Sequence, residues 1–270
     1  MFANLLALPF LAGTLAFLYL AWKVDNSYAP YMVPFLIIGA LIFILSPQIN
    51  WWWYSRNMPR LSKGLKELLQ RFCGFYQQLS PQEKTQFEGR VGLFRMGVNW
   101  TPIGWPEDIL PPDVELALSA QAVALTFRRE KFLFDKFEKV IIYPKPFPSP
   151  EHPYPHASEL FAPDGCLIFS AEHAMRAFFN PGKFYNVGLH EYAKAFVLTY
   201  PDENWPLLDA EQGWEALEKA SGMSRAHVEQ VVGIAGLDAL PVAIHHYFLF
   251  PATLKLHLPE VHVSLEKIFS

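Results

Sequence analysis

The sequence predicts an α+β fold, with an N-terminal hairpin of two membrane-crossing helices followed by a mostly helical domain carrying a small sheet. Three observations lead there. Two long apolar runs fill the first 53 residues, helix-start signals recur through the remainder, and the β-branched runs are few and short. The apolar excess of the chain, 51% hydrophobic and 16% aromatic residues with a mean hydropathy of +0.12, is concentrated at the front.

Leu5 to Trp22 is free of charge, and Tyr31 to Trp53 is broken only by Ser46, Pro47, Gln48 and Asn50. A hydrocarbon core of about 30 Å needs roughly 20 helical residues, so each run is long enough to span. Pro34 suits a first turn, whereas Pro47 should kink the last third of the second helix. Trp51, Trp52, Trp53 and Tyr54 read as an interfacial aromatic belt. The alternative for the first run is a cleaved signal peptide. It lacks a basic start and a small-residue cleavage site, and a second apolar run follows at once. Arg56, Arg60, Lys63, Lys66 and Arg71 crowd the exit of the second run, against Lys23 and Asp25 in the connecting loop. By the positive-inside rule the C-terminal part faces the cytoplasm, as in a multi-pass protein of the inner membrane. Residues 1–60 are thus expected to form the anchor and 61–270 one domain.

Within that domain, Leu61 to Leu79 has an amphipathic pattern and reads as a helix leaving the membrane. Ser80-Pro81-Gln82-Glu83 is a capping box with Pro at the first helical position, opening a helix toward Phe94. Trp100 to Pro112 is Pro-rich and reads as a loop; Asp113 to Phe127, rich in Ala and Leu, reads as a buried helix. Lys139–Tyr143 and Cys166–Ser170 are the expected strands, the first ended by a run of prolines from Pro144 to Pro150. After the turn Asn180-Pro181-Gly182, Asn186 can cap a helix. Asp209 with Gln212, Ser224, Pro241 and Pro259 mark four later helix starts.

A net charge of −4 and a pI near 6.1 leave no electrostatic footprint for nucleic acid. Cys73 and Cys166 are the two cysteines, and in a reducing compartment they are expected as free thiols. No Gly-x-Ser-x-Gly elbow surrounds Ser170, and no phosphate-binding Gly-rich loop is present. His152 and His156 have a His-x₃-His spacing, but Pro153 and Pro155 forbid the helix that would turn both rings to one face, so they read as loop residues.

The helix beginning at Asn186 carries the chemistry. A His-Glu-x-x-His stretch offers two imidazoles to one Zn²⁺ from one helix face and holds a Glu beside the metal-bound water as general base. Here His190 and Glu191 are present, but the second imidazole is replaced by Lys194. An ammonium has no lone pair for a metal. Standing alone, a His-Glu pair in a helix is more often a satisfied surface or core pair than a metal site.

In order and spacing, several blocks resemble the Mlc titration factor A (MtfA)-like zinc-dependent peptidases, a gluzincin-type family, over roughly residues 80 to 269. They are Ser80-Pro81-Gln82-Glu83, Ala120-Gln121-Ala122, Val140-Ile141-Ile142-Tyr143-Pro144 with Phe147, and Asn186 through Ala193. The C-terminal positions Tyr247, Phe248, Pro251, Leu254, Pro259, Glu260 and Leu265 complete the set. The resemblance implies a zincin-like domain, with His190 as first metal ligand and Glu191 as catalytic base. Lys194 stands in the second ligand's place and His245 in that of a Glu ligand, with His246 available if the register slips by one. It also implies a protein partner, because MtfA itself binds a transcriptional repressor.

Two protein ligands make an abnormally weak zinc site, since even catalytic sites use three. The favoured reading is therefore a peptidase-like domain without zinc, in which the Lys194 ammonium fills the cation's place, pairs with Glu191 and hydrogen-bonds His190 or His245. Such a protein would bind a protein or peptide without cutting it. The alternative is an active zinc metallopeptidase using His190, His245 and His246, with Glu191 activating water. A third reading makes the chain a structural subunit of a membrane complex, in which the hairpin is the functional part.

Overall fold

The computed structural model describes residues 2–209 and 211–270, which fall into two compact units, Met1–Pro59 and Arg60–Ser270. In the first, α1 (Phe2–Lys23) and α2 (Ala29–Ile44) form a hairpin joined by a 3₁₀ turn at Asn26–Tyr28, which Asp25 caps by accepting from the Ser27 N–H at 3.0 Å. The two helices approach closely at Gly13, where any side chain would strike the Phe35 ring. Phe17 packs there against Phe35 and Tyr31. The second apolar run breaks rather than bends. Leu45 leaves helical geometry, and a separate α3 (Ser46–Arg56) starts with Pro47 in its first turn, where a missing N–H costs nothing. Asn50 on α3 accepts from the Ala3 N–H at 2.9 Å, satisfying an orphan donor at the start of α1. Phe2 stacks on Trp53 at 4.0 Å.

The stretches Phe2–Lys23 and Asn26–Ile44 are long and apolar enough to cross a membrane. Their apolar side chains, among them Leu5, Leu11, Leu15, Ile37 and Phe43, are largely exposed, as a lipid-facing surface requires.

The second unit begins with α4 (Lys63–Phe72) and α5 (Gly74–Gln78), which divide the expected single helix at Cys73. Both halves of the capping box form at the start of α6 (Pro81–Gly97). The supposed loop after it opens as a strand, β1 (Asn99–Pro102), before the buried α7 (Pro112–Thr126). β2 (Lys139–Tyr143) and β4 (Cys166–Ser170) lie where the β-branched runs placed them, and β3 (Ser158–Phe161) is an addition. Among the described residues these strands form one sheet in the order β1-β2-β4-β3, parallel except for the antiparallel β3–β4 pair. Gly165 makes the tight β3–β4 return with φ +61, against the Lys136 carbonyl.

Helices make up the rest: α8 (Ala171–Phe179), α9 (Val187–Thr199), α10 (Gln212–Ser221), α11 (Arg225–Val232), α12 (Ala239–Leu249), α13 (Pro251–His257) and α14 (Pro259–Phe269). Asn186 and Ser224 cap α9 and α11 as their sequence positions suggest, and Asp209 accepts from the Gln212 N–H ahead of α10. α12 starts two residues before Pro241, because Asp238 caps it. α9 packs against α7, α8, α12 and the β3–β4 side of the sheet, so the helix bearing His190 runs through the core.

Candidate functional site

The burial of α9 follows from its composition. Val187, Leu189, Tyr192, Ala193, Ala195 and Phe196 are buried apolar residues, and they carry His190 and Glu191 inward with them. At Gly188 a Cβ would overlap the Gln121 side chain of α7, so glycine permits the close α7–α9 approach.

Glu191 is fully buried, and two groups converge on its carboxylate. Ser158 Oγ, from β3, donates to Oε1 at 2.8 Å. Lys194, one helical turn on, places Nζ 2.7 Å from Oε2, with its own side chain 30% exposed. At this distance the ammonium holds the carboxylate by charge and by direct contact. Burial works to raise the Glu191 carboxyl. The Lys194 ammonium, the His190 ring and the Ser158 hydroxyl outweigh it and hold the group below its ordinary value.

His190 lies with Nδ1 2.6 Å from the Tyr185 hydroxyl, while its Nε2 is buried without a partner. Burial pushes this ring down to about 4, against the pull of the Glu191 carboxylate, so it is neutral at pH 7. Burial also raises the Tyr185 phenol well above its ordinary value, which keeps the hydroxyl protonated. The Tyr185 hydroxyl and Nδ1 share one hydrogen bond, which leaves Nε2 as the unpartnered nitrogen of the ring.

His245 is committed elsewhere. The Asn186 N–H donates to its Nε2 at 3.0 Å, and its Nδ1 lies 3.1 Å from Nδ1 of His246. An accepting Nε2 places the ring proton on Nδ1, which then donates to His246. Burial holds both rings neutral, with His245 well below its ordinary value and His246 at about 4. Tyr185 stacks on His245 with ring centroids 4.2 Å apart, so a single tyrosine touches both histidines.

These residues do not fit a catalytic zinc. The donor set contains one unpartnered imidazole nitrogen, an ammonium already against Glu191, and two histidines joined to each other, whereas zinc sites use three or four lone-pair donors. Among the described residues, the metal-type donors that converge are Glu151, His152 and Glu159, with ligand atoms all within 4.8 Å of one another. His152 and His156 do lie in a loop, but the fold brings the loop back onto β3. Sequence reasoning also missed Ser158 and Tyr185. No local pattern marks Ser158. Tyr185 carried one weak signal, an aromatic hydroxyl just ahead of a helix cap.

The match to the glucose-regulated metallo-peptidase M90 family covers residues 49–197, more than half of the chain. It ends within α9, after His190, Glu191 and Lys194, and before His245 and His246. An uncharacterized protein of Synechocystis sp. is 27% identical over 103 residues, 38% of this chain and 34% of that relative. The aligned stretch thus spans about a third of the relative's length. The chain belongs to the M90 metallopeptidase family, as the MtfA-like blocks anticipated.

Proposed function

We propose that this M90 family member is a membrane-anchored, zincin-like domain that has exchanged its metal for an internal ion pair and binds a protein or peptide partner without cleaving it. Residues 1–60 are the anchor and 61–270 the binding domain, held on the cytoplasmic side of the inner membrane by the basic residues after the second span. One observation carries the reading: Lys194 Nζ rests 2.7 Å from the carboxylate that would serve as general base. A carboxylate neutralised in this way, with the Ser158 hydroxyl donating to its other oxygen, is a poor acceptor for a proton from water.

The second reading, an active zinc peptidase with altered ligands, draws on the unpartnered His190 Nε2. Metal analysis of the purified full-length protein separates the two. The ion-pair reading expects that His190→Ala removes no bound zinc. The double substitution Lys194→His with His245→Glu, which rebuilds the ligand types of the MtfA-like peptidases, should create zinc binding that depends on His190. Stoichiometric zinc in the wild type that disappears with His190→Ala would overturn the proposal.

A further inference from the structure

The loop between β2 and β3 carries six prolines, Pro144, Pro146, Pro148, Pro150, Pro153 and Pro155, each with a fixed φ. Its two ends are tied together. The Phe147 N–H donates to the His156 carbonyl at 3.1 Å and the His156 N–H to the Phe147 carbonyl at 3.0 Å, with the Phe147 ring packed on Tyr143 and His156. At the tip, the Ser149 N–H donates to the His152 carbonyl, and the His152 N–H to Ser149 Oγ. Closure in this form returns Glu151 and His152 to the face of β3 that carries Glu159. Side chains alternate along a strand, so this is the face opposite Ser158 and its contact with Glu191.

We propose that Glu151, His152 and Glu159 form a binding site for a divalent transition cation of the zinc type, separate from α9. The ligand atoms converge within 4.8 Å, close enough for one ion to bridge all three. An imidazole beside two carboxylates suits zinc better than calcium or magnesium, which take all-oxygen shells. The supporting contacts are those that orient metal ligands elsewhere. Nδ1 of His152 lies 3.3 Å from the Tyr154 hydroxyl, and with Nδ1–H donating to that oxygen the Nε2 lone pair is left for the ion. Glu159 is buried and held at Oε2 by His156 Nε2 at 3.0 Å, while Nδ1 of His156 is fixed 3.0 Å from the Tyr154 carbonyl. Glu151 is exposed, so the ion can enter from solvent.

Calorimetric titration of Zn²⁺ into chelator-stripped, full-length protein in detergent tests the site. Saturable binding of about one ion per chain is expected, with Mg²⁺ at least about tenfold weaker. His152→Ala and Glu159→Gln should each weaken Zn²⁺ binding by at least about tenfold, and His190→Ala should leave it unchanged. Glu151→Ala removes an exposed ligand and keeps the test informative if Glu159→Gln disturbs folding. Absence of Zn²⁺ uptake, or uptake indifferent to both Glu151→Ala and His152→Ala, would overturn the proposal. Uptake lost only with His190→Ala would overturn it too and would instead implicate α9, so the two readings fail separately.

Discussion

Glu191→Ala tests the ion pair directly. The change leaves the Lys194 ammonium without its counter-charge and the Ser158 hydroxyl without its acceptor, in a site where the carboxylate is fully buried. Removing one partner of a fully buried pair costs about 3–5 kcal/mol. The Lys194 side chain is 30% exposed and can turn its ammonium toward water, which reduces that figure. The stranded Ser158 donor adds about 1 kcal/mol. Together these give about 2–3 kcal/mol, and at about 2–4 °C per kcal/mol for a unit of this size, a fall of roughly 4–12 °C in Tm. The assay is thermal unfolding of the full-length protein in detergent, followed by intrinsic tryptophan fluorescence, to which the second unit contributes Trp100, Trp105, Trp205 and Trp214. Glu191→Gln with Lys194→Met should recover most of the loss, because the amide still accepts from Ser158 and neither residue carries charge. A Tm for Glu191→Ala within about 1 °C of wild type would refute the ion-pair reasoning, above all if a measurable peptidase activity vanished with it.

The buried histidines predict acid sensitivity. His190 and His246 are depressed from 6.5 to about 4 in the folded state, so the unfolded chain binds the extra protons first, and stability falls as pH drops from about 6.5 toward 4. A Tm that stays flat across that window would contradict their burial as neutral rings, and His246→Leu should shallow the slope. Glu191, also depressed, adds its share only below its unfolded value of 4.5, so its loss follows that of the histidines. For membrane topology, Ser270→Cys should resist impermeant thiol reagents in intact cells and react once the membrane is opened; ready labelling from outside would reverse the orientation.

Much of this protein is written locally. The length of the apolar runs, the capping residues Ser80, Asn186 and Ser224, and the pairing of Glu191 with Lys194 all depend on residues a few positions apart. Helix geometry alone brings positions three or four apart together. Pro47 shows the limit of such reasoning: it marked the irregularity in the second run, but the ladder breaks at Leu45 and a new helix begins. β1 and β3 escaped notice because each is only four residues long, and β1 finds its hydrogen bonds on β2, some forty positions away. What tertiary structure alone decided is who else meets at α9 and at the proline loop. Ser158 reaches Glu191 across 33 positions, and His245 reaches the Asn186 N–H across 59. That second contact turns an expected metal ligand into a helix-end acceptor. An imidazole binds a metal only with a lone pair that no nearby N–H has already claimed, and which N–H comes near is set by packing between elements rather than by spacing within one.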